Sequence, residues 1–478
     1  MTTIPKQGME RAEVMERLAQ FRAHDLNWRS GQAWAYVYDA GDTVEEVCKT
    51  AYNAYMTENA LDPTAFPSLL EFENQLVRMM AHHLGGTDET VGNFSSGGTE
   101  SILLAVKTAR DYTRARHPER GRLNIVLPST AHAAFHKAAH YLDLELIVTP
   151  VHPETFRADV EAVRTAINDH TCLVVGSAPS YAHGVVDPIR EMAQVAQEAD
   201  KLFHVDACIG GFLLPFFKRL GADVPDFDLS VPGVTSLSVD LHKYGFTAKG
   251  ASVILYANKE LRQSQIYACA GWTGYTIVNT TVQSTKSGGP LSAAWAVLNF
   301  IGDDGYMELA QKMFDATRRF IDGIQAIDGL DIMGNPDMNL VAVSSDEVNI
   351  FHVADEMKQR GWFVQPQLAF GDHKENIHLS INPKALDTVD GMLAALAESV
   401  EAARHIKPDP MVAGASATFS ALDPSQFDDA MFGQMLAMAG INGVALPERM
   451  ADINGILNAM PASLREKLLI SFINELYI

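Results

Sequence analysis

Lys243 is the residue of this chain whose type and position point most directly to chemistry. It lies in the segment Ser238–Gly245 (SVDLHKYG), which begins as a short apolar run typical of a buried strand. A lysine amine is costly to bury unless it is neutralised or hydrogen-bonded, and a Schiff base with an aldehyde cofactor would do both. A His-Lys pair by itself is more often an ordinary surface feature, so this interpretation depends on the motifs around it.

Asp206 supplies a second element of the same chemistry. It ends the predicted strand Leu202–Asp206 (LFHVD) and precedes the small residues ACIGG. A carboxylate at the end of an interior strand can pair with the ring nitrogen of pyridoxal phosphate (PLP) and keep it protonated, so that the ring acts as an electron sink. A helix N-cap or a structural ion pair is the alternative, because aspartate is also a favoured cap.

A glycine turn is the candidate phosphate site. The segment Asn93–Ser101 (NFSSGGTES) places Gly97 and Gly98 before a helix predicted to begin near Thr99. Glycine lets the backbone approach an anion closely, and the first N–H groups and the positive dipole end of the helix favour negative charge. The spacing is not that of a Walker motif, and a tight turn with a helix cap is the alternative.

Three further features fit the same site. His132 follows the predicted strand 124–128, where an imidazole could stack on a flat cofactor ring or be a satisfied histidine near a helix start. A second glycine turn, SGGP, contains Gly288 and Gly289 as further N–H donors. Lys249 lies six residues after Lys243. It is interpreted either as a cation for a substrate phosphate or carboxylate, or as a solvated surface lysine.

Short apolar strands alternate with amphipathic helices through the middle of the chain. The periodicity predicts strands at residues 124–128, 144–149, 172–178, 202–207, 236–241 and 251–257, with helices at 131–142, 157–168 and 188–200. This alternation is typical of an α/β protein with a mostly parallel central sheet covered by helices. Such sheets bind ligands beyond the carboxyl ends of their strands, where Asp206 and Lys243 are expected.

The two ends of the chain follow other patterns. Helices are predicted at residues 10–27, 43–58 and 69–84. After residue 303 the pattern indicates a smaller C-terminal α+β domain, with helices at 305–326, 349–360 and 386–405 and strands at 339–344, 362–366 and 376–381. Residues 405–417 are predicted to form a loop before the last helices.

Composition limits the classes of function. The 478 residues carry a formal net charge of −22, which disfavours nucleic acids and anionic membranes as partners. The four cysteines are scattered without metal-like spacing, which favours a reducing, cytoplasmic setting. The N-terminus lacks the apolar core of a signal peptide, and no run is long enough for a membrane span. We therefore expect a cytoplasmic protein that binds no metal.

The combination of motifs SSGGTES, HVDAC and DLHKYG resembles the PLP-dependent group II decarboxylase family of fold type I. More narrowly, the runs SSGGTESILLAVKTARDY, STAHAAFHKAA, HGVVDP, HVDACIGGFLLPFF and GVTSLSVDLHKYGFTAKGAS are similar to the sphingosine-1-phosphate lyase branch, over about residues 30–385. The resemblance implies the PLP-dependent transferase-like fold. We expect an N-terminal helical segment (1–58), a large PLP-binding domain (59–302) and a small C-terminal domain (303–478).

The resemblance also implies roles for individual residues. Lys243 would hold PLP covalently, Asp206 would bind the ring nitrogen and His132 would stack on the ring. The cofactor phosphate would be surrounded by Gly97, Gly98, Thr99, Ser238, His242, Gly288 and Gly289. The second glycine turn would come from the partner subunit, which implies a homodimer with shared active sites. The substrate would face Tyr38, Asn59, Asp62, Tyr181 and Lys249.

The chain departs from the lyase pattern at several positions. Residues 59–63 read NALDP where the lyases show Asn-Pro-Leu-His-Pro, so Asp62 replaces a histidine expected to face the substrate phosphate. A carboxylate there would repel a dianion unless it pairs with a cation. Lys286 stands where an arginine is usual and loses the planar fork of that side chain. Residues 271–286 are unusual, and Thr418 and Phe419 stand where a tyrosine is expected.

Three hypotheses follow. The first is a PLP-dependent carbon–carbon lyase acting on a phosphorylated amino alcohol, with Lys249, Tyr181 and Lys243 as candidates for proton transfer. The second is an amino-acid decarboxylase for an acidic or aromatic amino acid, which Asp62 favours. The third is a non-catalytic phosphate-binding or scaffold protein, which requires Lys243, Asp206 and His132 all to be incidental.

Overall fold

The computed structural model describes residues 3–407 and 447–477, together with the single residues 414 and 433. Its centre is a seven-stranded sheet of β1 (Val91–Ser95), β2 (Asn124–Pro128), β3 (Glu145–Thr149), β4 (Thr171–Ser177), β5 (Leu202–Asp206), β6 (Ser236–Asp240) and β7 (Ser252–Tyr256). The spatial order is β1-β7-β6-β5-β4-β2-β3.

Six of these seven strands run in the same direction. The pairs β2–β3, β2–β4, β4–β5 and β5–β6 are parallel. Strand β7 is antiparallel to both of its neighbours, β1 and β6. The carboxyl ends of β1, β5 and β6 therefore lie at one edge of the sheet, and the prediction of a mostly parallel sheet is confirmed.

Every residue of β2, β4, β6 and β7 is buried, because helices cover both faces of this sheet. The helices in this part of the chain are α1 (Arg11–Phe21), α2 (Asp42–Ala54), α3 (Pro67–His83), α4 (Gly98–Arg116), α5 (Ala134–Leu142), α6 (Val160–Ala166), α7 (Ile189–Glu198), α8 (Leu214–Arg219) and α9 (Lys259–Gln263). Short 3₁₀ helices occur at Arg22–His24, Trp28–Ser30 and Pro118–Arg120. A two-stranded hairpin, β8 (Tyr267–Cys269) with β9 (Ile277–Asn279), projects after α9.

A second, smaller layer follows the long helix α10 (Gly288–Ile324). It contains an antiparallel sheet in the order β10-β11-β13-β12. Its strands and helices are β10 (Asp331–Ile332), β11 (Leu340–Ser344), α11 (Ile350–Gln359), β12 (Gln365–Gln367), β13 (Asn376–Ser380), α12 (Ala385–Arg404), α13 (Ala451–Ala459) and α14 (Ala462–Leu476). Trp34 from the N-terminal segment packs into this core, with ring centroids 5.1 Å from Phe320 and 6.4 Å from Trp362.

The structure differs from the sequence-based elements at a few places. Strand β1 and the β8–β9 hairpin were not expected, and the first α-helix ends at Phe21 rather than near residue 27. Helix α10 begins at Gly288, not near residue 305, and contains a break at Gly302, where φ is +64°. Most of the predicted loop at 405–417, with Thr418 and Phe419, lies outside the described residues. Within residues 3–407 and 447–477 no helix is long and apolar enough to span a bilayer.

Candidate active site

A cavity of about 320 Å³ opens at the edge where β1, β5 and β6 end. Its wall brings together the first glycine turn, the end of β5 and the segment after β6. The lining residues are Ser96, Gly97, Gly98, Thr99, Glu100, Ile102, His132, Ser177, Pro179, Tyr181, Asp206, Cys208, Ile209, Asp240, His242 and Lys243. The sequence predicts fifteen site residues that lie far apart in the chain, and eight of these line this one space: Gly97, Gly98, Thr99, His132, Tyr181, Asp206, His242 and Lys243.

The first glycine turn presents the start of α4 to the cavity. Gly97 has a φ of +148° and is the N-cap of the helix, with no side chain capping the first N–H groups. A Cβ atom on Gly98 would lie 2.8 Å from Cys208 Sγ and 2.9 Å from Asp240 Oδ2, so a side chain there would clash. The turn therefore leaves uncapped N–H groups beside the cavity, as an anion site requires.

Glu100 connects this turn to the segment before the second glycine turn. Its Oε2 atom accepts a hydrogen bond from the Ser96 N–H at 2.6 Å. Its Oε1 atom accepts from the N–H groups of Val282 at 2.8 Å and Gln283 at 3.2 Å. One buried carboxylate thus holds two loops at the cavity wall.

Lys243 forms an ion pair inside the cavity. Its Nζ lies 3.0 Å from Oδ2 of Asp240, the buried last residue of β6. Burial alone would lower the pKa of Lys243, but attraction to Asp240 outweighs burial and raises it above the ordinary lysine value. Burial works against the charge of Asp240, yet the nearby Lys243 and His242 hold its pKa below the usual range.

Asp206 is a buried carboxylate that lines the same cavity. Its Oδ1 accepts a hydrogen bond from the Cys208 N–H at 3.1 Å, and no cationic side chain in the described part of the chain forms an ion pair with it. A buried carboxylate is unfavourable without a positive partner. A protonated ring nitrogen in the cavity would be such a partner.

Ser238 is placed differently from the expectation that it contacts the cofactor phosphate. It does not line the cavity, and its hydroxyl lies 3.2 Å from both His204 Nε2 and Cys208 Sγ. His204 Nδ1 lies 2.9 Å from Ser236 Oγ, and burial lowers the pKa of His204 to about 4. Because strand side chains alternate, Ser236 and Ser238 share the face of β6 that meets this neutral histidine behind Asp206.

His132 and Ser177 form part of the wall near Asp206. The Nδ1 atom of His132 accepts a hydrogen bond from the Ala134 N–H at 3.1 Å, which orients the ring at the start of α5. The buried hydroxyl of Ser177 has no hydrogen-bond partner within residues 3–407 and 447–477. An unpartnered buried hydroxyl in a cavity wall fits a polar ligand.

Tyr181 lines the cavity, whereas Tyr38 and Lys249 lie just behind its wall, beside His242. The Tyr181 hydroxyl donates to Gln365 Oε1 at 2.7 Å, and burial raises the pKa of Tyr181. The Nζ of Lys249 donates to the His242 carbonyl at 2.9 Å and lies 4.5 Å from the ring centroid of Tyr38. Burial and the neighbouring Lys243 lower the pKa of Lys249 to about 8.

Seven of the fifteen predicted residues do not line the cavity of their own chain: besides Tyr38, Ser238 and Lys249, these are Asn59, Asp62, Gly288 and Gly289. Asn59 forms an antiparallel bridge with Ser287. Asp62 is exposed and accepts hydrogen bonds from the N–H of Thr64 at 2.8 Å and its hydroxyl at 2.7 Å. The glycines begin α10, where a Cβ on Gly288 would lie 2.6 Å from the Tyr55 carbonyl oxygen.

Asp240, Ser177, Cys208 and Glu100 line the cavity and were missed by the sequence reasoning. Asp240 had a usable signal, because it ends a predicted strand three residues before Lys243. The other three had none, because their positions depend on contacts between distant segments.

The residues present fit PLP. The uncapped start of α4 suits a phosphate, the buried carboxylate of Asp206 suits a ring nitrogen, and Lys243 supplies an amine to the same cavity. The Ser177 hydroxyl is a further polar group without a partner in the described structure.

Comparison with known proteins gives a concordant result. Residues 24–345 match the model of the pyridoxal-dependent decarboxylase conserved domain. Residues 410–475 match a putative helix-turn-helix domain found at the C-terminus of pyridoxal-dependent enzymes.

Individual relatives extend this similarity. The chain is 36% identical to a sphingosine-1-phosphate lyase of Dictyostelium discoideum, over 84% of this chain and 74% of that protein. It is 31% identical to a probable L-aspartate decarboxylase of Pyrococcus furiosus, over 75% of this chain and 93% of that one. A solved sphingosine-1-phosphate lyase of Burkholderia pseudomallei superimposes with a TM-score of 0.80 at 33% identity, covering 88% of this chain and 95% of that one. The chain belongs to the pyridoxal-dependent decarboxylase family and is a PLP-dependent lyase with the fold type I architecture.

Proposed function

We propose that this enzyme is a carbon–carbon lyase that cleaves a phosphorylated long-chain amino alcohol to a fatty aldehyde and phosphoethanolamine. The observation that carries the proposal is the shared cavity of Lys243, Asp206 and the uncapped start of α4. The similarity to sphingosine-1-phosphate lyases over most of the chain supports this choice of substrate class.

In this proposal the cofactor is held by residues that line the cavity. Lys243 binds it through Nζ, Asp206 pairs with its ring nitrogen and His132 lies against its ring. Its phosphate is received by the backbone of Gly97, Gly98 and Thr99, with His242 beside them. When bound, PLP supplies an electron sink that stabilises negative charge developing at the substrate carbon.

Lys249 is suited to move the proton of the substrate hydroxyl. A general base works best when its pKa lies near the working pH, and the pKa of Lys249 is lowered to about 8. Tyr181 stays protonated because burial raises its pKa, so it donates a proton or a hydrogen bond and does not act as a base. Tyr38 contacts Lys249 and so orients its amine.

The assembly is proposed to be a homodimer with shared active sites. Gly288 and Gly289 lie outside the cavity of their own chain, so a second copy is needed to bring this turn to a cofactor phosphate. The exposed apolar side chains Val14, Leu18 and Phe21, spaced along one side of α1, are consistent with burial against that copy.

Two coarser assignments accompany this function. Residues 59–302 are proposed to be the PLP-binding domain, between the N-terminal segment 1–58 and the small domain 303–478. A cytoplasmic location is proposed because Cys48, Cys172, Cys208 and Cys269 are all free thiols.

Amino-acid decarboxylation is the second candidate. It is favoured by the similarity to a probable L-aspartate decarboxylase, 93% of whose length this chain spans. Asp62, which adds negative charge where a substrate phosphate is expected, also favours it.

One experiment separates the two. Purified holoenzyme is incubated with a phosphorylated sphingoid base and, separately, with single amino acids. We expect release of phosphoethanolamine and a long-chain aldehyde from the first and no carbon dioxide from the second. Carbon dioxide release from an amino acid, without phosphoethanolamine from the lipid, would overturn the lyase assignment in favour of the decarboxylase.

A further inference from the structure

Ten of the sixteen residues that line the cavity around Lys243 have polar or charged side chains. Its wall includes the charged or polar side chains of Glu100, His132, Asp206, Asp240 and His242. At about 320 Å³ it offers space for a cofactor and the polar end of a substrate. Placing a hydrocarbon chain against these groups would remove them from water without compensating hydrogen bonds. A long apolar substrate segment is therefore better accommodated against a less polar wall.

A second hollow of about 330 Å³ adjoins this cavity and shares the side chains of His132 and Tyr181 with it. It lies in the cleft between the loop 129–133 and residues 367–376 of the small domain. Its apolar wall consists of Ala131, Ala133, Ala182, Leu368 and Phe370. We call it the inner hollow.

The inner hollow carries no formal charge on its described wall, which contains no Lys, Arg, Asp or Glu. Two of the three histidines on this wall, His183 and His373, are in contact, with Nε2 of His183 3.3 Å from Nδ1 of His373. Burial lowers the pKa of His183 to about 3 and also lowers the pKa of His373. Both imidazoles are therefore neutral near pH 7.

A third, outer hollow of about 190 Å³ continues from the inner one, and the two share Ser129, Phe370 and His373. Its wall is also largely apolar, with Pro150, Val151, Pro153 and Phe156. Asp372 is the single charged residue on its described wall. The ring of Phe156, on the wall of the outer hollow, stacks on His183, on the wall of the inner hollow, with ring centroids 4.0 Å apart, so the two walls are in contact.

We infer that the inner and outer hollows bind the hydrocarbon chain of the substrate, in that order from the reacting end. The inference rests on the proposed function, since it deepens the assignment of a long-chain substrate. The inner hollow and the polar cavity share His132 and Tyr181 in their walls, so the inner hollow is an apolar space beside the reacting end of the substrate. Each methylene buried there is removed from water against uncharged walls.

The first test is a series of phosphorylated amino alcohols of increasing alkyl length, assayed with holoenzyme below the concentration at which they aggregate. We expect kcat/KM to rise by about fourfold per methylene until the hollows are filled, and then to level off. If no member of the series releases phosphoethanolamine, the proposed function fails. If turnover occurs at every length with no dependence on length, only the present inference fails.

Substitutions at two positions test where the hydrocarbon chain of the substrate lies within the hollows. Leu368 lines the inner hollow only and Val151 lines the outer hollow only. Leu368→Asp is expected to abolish the increase of kcat/KM with alkyl length from the shorter substrates onward, because a carboxylate then faces the first methylenes of the chain. Val151→Asp is expected to flatten it at the long end.

Leu70→Asp is the matched control, because Leu70 is 46% exposed in the first turns of α3, where an acidic residue is tolerated. The control should keep the parental length profile. PLP content and the unfolding midpoint of each variant are measured, and a variant that has lost either is replaced by Leu368→Gln or Val151→Asn. The inference would be overturned if folded, PLP-loaded variants at both positions showed the same dependence of kcat/KM on alkyl length as the parent enzyme.

Discussion

The two halves of the candidate active site differ in what fixes their residues. In the strand-end half, Gly97, Asp206 and Lys243 follow three strands of one sheet and are brought to one cavity by its geometry. In the loop half, Asn59 pairs with Ser287, the residue before Gly288 at the start of α10, and neither Asn59 nor Gly288 lines the cavity of its own chain.

This difference shows which parts of the active site one chain assembles by itself. The sheet alone assembles the residues suited to hold the cofactor ring and the first phosphate contacts. The loop half is ordered within the chain, through the Ala60 N–H donating to the Lys286 carbonyl at 2.8 Å, yet it faces elsewhere. The proposed dimer would join the two halves.

Replacing the central residue of the strand-end half should have the largest effect. Lys243→Ala removes the amine proposed to hold PLP, and kcat/KM should fall by at least about 10³-fold. Borohydride reduction should attach a pyridoxyl group to the parent enzyme and not to this variant. Lys259→Ala, an exposed lysine in α9, should behave as the parent. Parental turnover by Lys243→Ala would place the reacting amine elsewhere.

Glu73 and Lys286 form the buried link between the two halves. Lys286 Nζ lies 2.5 Å from Glu73 Oε2, and Glu73 Oε1 accepts from Asn93 Nδ2 at 2.9 Å and from the Phe94 N–H at 3.0 Å. Asn93 and Phe94 belong to β1, which leads into the first glycine turn. Glu73→Gln leaves the Lys286 ammonium buried without its partner and should lower the free energy of unfolding by about 3–5 kcal/mol.

Urea denaturation at a fixed protein concentration measures that loss. Asp390→Asn is the control, because it breaks an ion pair with Arg319 in which the aspartate side chain is 80% exposed. Its loss should be about 0.5 kcal/mol. Equal losses for the two variants would mean that the Glu73–Lys286 pair does not depend on burial for its effect.

The strand-end half was largely predictable from sequence because its signals are local. Asp206 and Lys243 each follow a recognisable apolar strand, and the parallel topology that joins their positions follows from the strand–helix alternation. Ser238 was assigned to the cofactor phosphate, but its side chain meets His204, which lies 34 residues earlier. The side chain that a strand residue contacts is determined by the neighbouring strand. The sequence pattern of one strand therefore does not identify that contact.

The loop half was less predictable for the same physical reason. The β8–β9 hairpin has no strong turn dipeptide, and its segment is held by Glu100, which lies 182 residues before Val282. The hydrogen-bond partner of Asp62 is Thr64, two residues away, but choosing between this local turn and a substrate contact requires the shape of the whole entrance.

Lys249 allows the proposed base to be tested through pH. Its pKa is lowered to about 8, and only the neutral amine accepts a proton, so kcat/KM should rise with pH up to about 8 and then level off. Lys249→Arg keeps the positive charge but cannot deprotonate in this range, so it should lose the rising limb and about 10²-fold in rate. If kcat/KM of Lys249→Arg still rose with pH as in the parent enzyme, the titrating group would be a residue other than Lys249.

Asp62→His is expected to have the smallest effect, and it divides into two measurable parts. Loss of the hydrogen bonds to the Thr64 N–H and hydroxyl should lower the unfolding midpoint slightly. Removing a negative charge from the proposed path of a phosphate dianion should raise kcat/KM for the phosphorylated substrate by about fivefold at low salt, and by less at high salt. Asp62→Asn is the control, because it removes the charge without adding a cation. If Asp62→His lowers the midpoint and neither variant gains turnover, Asp62 serves the local turn alone and the phosphate is received elsewhere in the loop half.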